Sequence, residues 1–292
     1  MSDITLAPPV TPPATAITID HHQSIVDAFE SLNKWKTTVS ETTKSIPSRL
    51  VFSHNKSKAA GKGFPTVLDT GRRFGLTDHE IAALFGYTTG DYRFVNPIAR
   101  GQGTVEFDDY PWLPQDFSKI KFVLTRDEVR PCVHMLSAAL SKLQQSNNSS
   151  LQRAWRGHKR PLPNRTGQRF VLEGFGSATL DRDTALEFCI KTDGEVTKQN
   201  AKRTLIGIVQ STGGTSISKF SARPQEMEVL FPPNTAFEVV DPPSEDSSEE
   251  DTRAVKDAVE KLQKNAPDAT IELLYVKEVS TTNDGEDTYC LN

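Results

Sequence analysis

The stretch SARPQEMEVLFPP, Ser221 to Pro233, places two carboxylates, Glu226 and Glu228, one residue apart at the entrance to an apolar run. Read as a strand, alternate side chains share a face, so Met227, Val229 and Phe231 point one way and Glu226, Glu228 and Leu230 the other. Strand rise then holds the two carboxylates roughly 6 to 7 Å apart on one face. Like charges that close repel, so the arrangement calls for open solvent or for a use. The residues alone leave both readings open: an edge strand whose acids keep other chains from pairing with it, or a functional pair.

The neighbouring segments follow the same pattern. AWRGHKR, QRFVLEGFGSATL, RTLIGIVQ, AFEVVD and ATIELLYVKEV are short, mostly rich in β-branched and aromatic residues, and bounded by Gly, Pro and Asn, as strands are. DRDTALEF between two of them reads as a short helix with Asp181 or Asp183 as its cap. The acidic run DPPSEDSSEEDT, residues 241–252, reads as a solvated loop because such charge density resists packing. A helix over about Ala254 to Lys264 follows it.

Before residue 150 the apolar period is helical. Ile25, Val26, Phe29, Leu32 and Trp35 mark a helix from about Ser24 to Thr37. Thr77 and Glu80 stand in capping-box spacing, with Ile81, Leu84 and Phe85 on one face after them. This helix breaks near Gly86; Tyr92, Val95 and Ile98 suggest a second piece that Pro97 bends or ends. Val133, Leu136, Leu140 and Leu143 mark another, with Pro131 expected at its first position. The organisation is therefore a Pro/Thr/Ala-rich tail over 1–18 with little to pack, one domain over 19–280, and a C-terminal tail over 281–292. Within the domain, 19–150 is mainly helical and 151–280 is β-rich.

A chain of 292 residues with net charge −4 and no long Lys/Arg run carries no electrostatic footprint for nucleic acid or acidic membrane. No apolar run reaches membrane-spanning length. Cys132, Cys189 and Cys290 are far apart and lack C-x-x-C spacing, so neither a disulfide framework nor a zinc site is indicated, and no metal ligands cluster. His79-Glu80 has Ala83 where a zincin helix needs its second histidine, and Ser177 lacks the flanking glycines of a nucleophile elbow.

Three features of the β half carry chemistry when taken together. Arg156, between Trp155 and Gly157, presents a guanidinium beside a residue that lets a ligand approach its backbone, and a guanidinium suits phosphate oxygens; an ion-paired surface arginine reads equally well. Ser177 and Thr179 share a strand face and could orient a carboxylate or a ligand amide, although capping and β-propensity also account for them. Phe188 suits a core position or a ring stack, and His158 suits a solvent-facing position or a phosphate neighbour. The pair Glu226 and Glu228 is the third feature.

In this order and at these intervals, the aromatic-Arg-Gly strand, the aromatic-x-Ser-x-Thr strand and the Glu-x-Glu strand resemble the R-S-E class of mono-ADP-ribosyltransferases. That class contains bacterial toxins, injected effectors and vertebrate arginine-specific enzymes. The segment YTTGDYRFVNPIARG resembles its N-terminal helical signature through Tyr87, Thr88, Tyr92, Asn96 and Arg100. The resemblance covers about residues 70 to 280. It implies an α+β fold, a helical N-terminal portion packed on two antiparallel-rich sheets with NAD in the cleft between them, and the order of helices before strands is compatible with this.

The resemblance also implies roles. Arg156 would hold the NAD phosphates and Gly157 the nicotinamide amide; Thr179 would line the same site and Phe188 would stack on the nicotinamide. Ser177 would orient Glu228, the catalytic glutamate, which would bond the 2′-OH of the nicotinamide ribose. Glu226 would receive the acceptor arginine. Phe220, on the loop before it, suits a contact to the target protein or a buried loop anchor. Ala178 departs from the usual Ser-Thr-Ser. NAD is then a substrate, no metal is needed, and the partner is a protein bearing an arginine, modified by a monomer in the cytoplasm or, after export without a cleavable signal, in a host cell.

The chemistry suits these residue types. A carboxylate on the 2′-OH stabilises the oxocarbenium-like state as the bond to nicotinamide breaks. An arginine stays protonated and needs a second carboxylate to orient it and help remove a proton. An NAD glycohydrolase on the same scaffold, or a non-catalytic module that kept the fold, are the competing readings.

Overall fold

The computed structural model describes residues 64–107, 122–146, 151, 153–162, 164–190, 201–264, 266–280 and 288–291. The expected tail over 1–18 and the expected first helix lie outside them.

The helical layer opens with α1 (Phe64–Arg73) and α2 (Asp78–Gly86). Thr77 closes the expected capping box on α2: its hydroxyl accepts the Glu80 N–H at 3.3 Å, and Glu80 accepts the Thr77 N–H at 2.7 Å. The chain does not stop at Gly86. It runs through one π-helical turn, Tyr87–Asp91, where Gly90 takes φ 123°, a value open to glycine. It then enters α3 (Tyr92–Ala99), which ends two residues after Pro97. A hairpin of β1 (Thr104–Phe107) and β2 (Phe122–Thr125) leads into α4 (Arg126–Ser146). Pro131 lies inside α4 and not at its first position. Fully buried Val129 extends the apolar face of Cys132, Leu136, Leu140 and Leu143 back by one turn, and that packing outweighs the hydrogen bond the proline cannot make.

The remaining strands are β3 (Ala154–His158), β4 (Arg169–Leu172), β5 (Gly176–Thr179), β6 (Lys202–Gln210), β7 (Thr215–Ser216), β8 (Glu228–Phe231), β9 (Thr235–Val240), β10 (Thr270–Val279) and β11 (Thr288–Leu291). Helices α5 (Arg182–Ile190) and α6 (Glu245–Gln263) lie between them in sequence. Among the described residues the strands hydrogen-bond in the order β11-β4-β9-β10-β6-β3-β5-β8-β7, with β10–β6 and β11–β4 parallel and the other pairs antiparallel. The expected two sheets are thus one ladder, but barely: β3 and β5 meet at a single pair, Trp155 and Thr179.

The sheet also folds back on itself. Five strand steps separate β8 from β9, about 24 Å in a flat sheet, yet the rings of Phe231 and Phe237 stand 5.3 Å apart. Ala178, Val229 and Phe231 of one half pack on Ile206, Ile208, Phe170 and Phe237 of the other. The opposite face of β5–β8 meets the helical layer, where Leu230, Phe220 and Phe175 join Phe85, Phe94 and Leu136. Helices α5 and α6 cover Trp155, Leu205, Ile271 and Tyr275 on the outer side.

Two expectations are corrected here. The acidic run is not a loop throughout: α6 begins at Glu245 within it. Acidic residues in a first turn complement the positive end of the helix dipole. Asp251 is also drawn inward, its side chain 3% exposed, where it accepts from Arg153, from Arg182 at 2.8 Å and from the Tyr275 hydroxyl at 2.7 Å. The stretch read as a C-terminal tail contains β11, which pairs with β4. Four residues are too few to show a period in the sequence.

Candidate active site

The fork between β3 and β5 is where the candidate residues gather. On β3, the edge that faces β5 has no ladder partner beyond Trp155 among the described residues, although Arg156, Gly157 and His158 all pair with β6 on the other edge. Gly157 has a structural reason of its own. A Cβ there would lie 2.3 Å from the carbonyl oxygen of Ala185 and 2.9 Å from the amide of Cys189, so only glycine lets α5 close onto β3. Arg156 Nη1 reaches across the fork and donates to the Ser177 carbonyl. Its Nε is buried and makes no hydrogen bond among the described residues. Burial lowers the Arg156 guanidinium from its ordinary value, and nearby Arg100 adds to this. A buried donor beside a second guanidinium suits an anion.

In the β5–β8 register Thr179 opposes Glu228 and Ser177 opposes Leu230, so these four share one face. The Ser177 hydroxyl donates to Glu228 Oε1 at 2.7 Å. Glu228 is 9% exposed. Burial pushes its carboxyl up to about 7, with the neighbouring Glu226 adding to the rise and the Ser177 hydroxyl opposing it. The site therefore holds a carboxylate that changes charge near neutrality.

The helical signature supplies the opposite wall. Tyr87 donates to the Phe175 carbonyl at 3.2 Å and accepts from Asn96 Nδ2 at 3.1 Å. Burial and the Glu228 charge push its phenol up to about 12. Asn96 Oδ1 accepts the Phe175 N–H at 3.0 Å, while Arg100 Nε donates to the Asn96 carbonyl at 3.2 Å. These bonds fix the turn into β5, and hence Ser177. Thr88 accepts the Ala222 N–H at 3.0 Å and so anchors the loop before the two glutamates. In the sequence, Tyr87, Thr88, Asn96 and Arg100 carry a resemblance but no individual role.

The structure brings Arg156, Gly157, Ser177, Glu226 and Glu228 together and revises several details. Glu226 and Glu228 are not side by side on one strand. Pro224–Glu226 form a 3-10 turn, Met227 takes the left-handed conformation at φ 43°, and β8 starts only at Glu228. A proline and a required turn override the alternation that the sequence suggested. Thr179 is 4% exposed and its hydroxyl is already used, donating to the Glu226 carbonyl at 2.7 Å and accepting the Asp181 N–H at 3.0 Å. It holds the glutamate loop.

Phe220 is 1% exposed and packs edge-on against Phe74, so it is a core anchor and not a surface for a target protein. The loop's exposed side chains are those of Arg223, Gln225 and Met227. Phe188, on α5 beside the Gly157 contact, is 43% exposed. His158 is half-buried, with Nδ1 3.1 Å from the Arg160 carbonyl. Ala178 faces the inter-sheet core, where a larger polar residue would find apolar neighbours. Among the described residues no three His, Cys, Asp or Glu side chains form a metal-binding group, and no helix is long and apolar enough to cross a membrane.

Residues 69–256 match the model of the family described as NAD:arginine ADP-ribosyltransferase. Over 186 residues the chain is 31% identical to NAD(+)--protein-arginine ADP-ribosyltransferase Tre1 of Pseudomonas putida (strain GB-1); the match spans 63% of this chain and 30% of that protein. Among solved structures, the Vis toxin of Vibrio splendidus is similar with a TM-score of 0.46 and 17% identity, covering 92% of this chain and 91% of that one. HopU1 of Pseudomonas syringae pv. Tomato DC3000 is similar with a TM-score of 0.40 and 18% identity, covering 68% and 76%. With the family model matched from within α1 to within α6, the chain belongs to the NAD:arginine ADP-ribosyltransferase family.

Proposed function

We propose that this chain is an NAD-dependent protein-arginine mono-ADP-ribosyltransferase of the R-S-E type, with Glu226-Met227-Glu228 as its Glu-x-Glu motif. The observation that carries the reading is Glu228: a buried carboxyl pushed up to about 7, held by Ser177 at 2.7 Å, at the fork that Arg156 spans. A surface glutamate needs none of this. The printed name of the Pseudomonas putida relative supports the same activity.

In this reading Arg156, its Nε unpaired, takes the diphosphate of NAD, with Arg100 within electrostatic reach. The open edge of β3 at Gly157 offers its backbone to the nicotinamide amide, and exposed Phe188 on α5 supplies the ring for stacking. Ionised Glu228 accepts from the ribose 2′-OH and stabilises the positive charge that develops as the bond to nicotinamide breaks. Ser177 fixes which way that carboxylate points. A guanidinium nitrogen of the acceptor then forms the new bond to the ribose carbon, nicotinamide leaves with its electron pair, and the displaced proton passes to Glu226. NAD is consumed as a substrate, and the chemistry calls for no metal. The chain acts as a monomer on a target protein, either in the cytoplasm or, as an exported effector or toxin, in a host cell.

The test uses labelled NAD with agmatine as a small acceptor. Glu228→Gln abolishes both transfer and NAD hydrolysis, whereas Glu226→Gln removes transfer and leaves much of the hydrolysis. Full activity in both variants refutes the assignment.

A further inference from the structure

Glu226 already holds a guanidinium. Arg223 Nη1 lies 3.1 Å from Glu226 Oε1, three residues apart in one loop, with the arginine side chain 52% exposed and the glutamate 27%. The backbone at both ends of this pair is pinned. Phe220 is buried beneath it, the Ala222 N–H is bonded to Thr88 at 3.0 Å, the Arg223 N–H is bonded to Ser221 at 2.9 Å, and the Glu226 carbonyl is bonded to Thr179 at 2.7 Å. The Arg223 side chain, 52% exposed, has room to swing away.

We propose that Arg223 is a resident stand-in for the acceptor: its guanidinium occupies on Glu226 the place that the substrate arginine takes, and it must swing out before transfer. This rests on the reading of Glu226 as the acceptor-orienting carboxylate. An incoming guanidinium replaces one charge-assisted hydrogen bond with an equivalent one, and the released Arg223 side chain goes to solvent. Until an acceptor arrives, Arg223 keeps the Glu226 charge paired beside the buried Glu228 carboxyl, whose ionisation an unpaired neighbour would oppose. Arg223 thereby sets how much cation an acceptor must supply, and it excludes weaker, non-planar cations from the site.

The experiment compares the agmatine dependence of ADP-ribosyl transfer in the wild type, Arg223→Gln and Arg223→Lys. An exposed ion pair of this kind corresponds to about a two- to fivefold effect. Removing the competitor therefore lowers the agmatine KM of Arg223→Gln by that factor, Arg223→Lys falls between it and the wild type, and kcat does not drop. An unchanged or raised KM in Arg223→Gln overturns the proposal while leaving the function intact. A wild type that hydrolyses NAD but labels no guanidinium overturns the underlying reading of Glu226, and this step with it.

Discussion

Replacing Glu228 by glutamine should make the protein more stable above neutral pH and leave it unchanged in acid. The sign follows from burial. In the unfolded chain an ordinary glutamate gives up its proton near 4.5, whereas in the folded protein the carboxyl is pushed up to about 7. Between those values the folded state binds more protons than the unfolded one, so stability falls as pH rises through the window. A gap of about 2.5 pH units at about 1.4 kcal/mol each gives a cost of about 3 to 4 kcal/mol for carrying the ionised form. The group is 9% exposed, so solvent screening removes little of it.

Glutamine keeps the shape and can still accept the Ser177 hydroxyl, but it has no charge to desolvate. Urea unfolding of both proteins from pH 4 to pH 9 reads the difference directly. The two should coincide near pH 4 and separate progressively above it, reaching about 3 to 4 kcal/mol in favour of the variant by pH 8. Parallel curves across the range would refute a Glu228 carboxyl raised in the folded protein. The cost matters for function because stability is given up to hold a charge where substrate can use it.

Two further predictions concern the frame around the site. Gly157→Ala forces a Cβ to within 2.3 Å of the Ala185 carbonyl. It should cost about 1 to 3 kcal/mol by pushing α5 off β3 and should raise the NAD KM, which thermal melts and initial rates can check. Phe220→Ala removes a fully buried ring from the core between the helical layer and β8. It should cost about 3 to 5 kcal/mol of stability, and a variant of native stability that has lost only protein labelling would restore Phe220 as a contact to the target.

The amino-acid sequence by itself determined most of the strands and the start of α2. Period-two segments became β3, β4, β5, β6, β8, β9 and β10, and the capping box at Thr77 formed as its spacing required. Arg156, Gly157, Ser177, Glu226 and Glu228 were legible only as short motifs that together resemble a known family, since each motif alone left a bland structural reading open. Tertiary structure decided the rest.

Pattern alone could not show that the acidic run enters a helix, because the buried ion pairs of Asp251 with Arg153 and Arg182 join residues 98 and 69 positions apart. Nor could it show that Thr179 binds the Glu226 backbone, that Phe220 is an anchor, or that Met227 turns the chain so that the two glutamates leave the common face. Period tells which side of an element a residue occupies. What lies against that side is set by how the sheet curls and where β3 parts from β5. The charge state of Glu228 belongs to the same class: it depends on the water excluded by Tyr87, Ser177 and the helical layer, and those neighbours meet only in the fold.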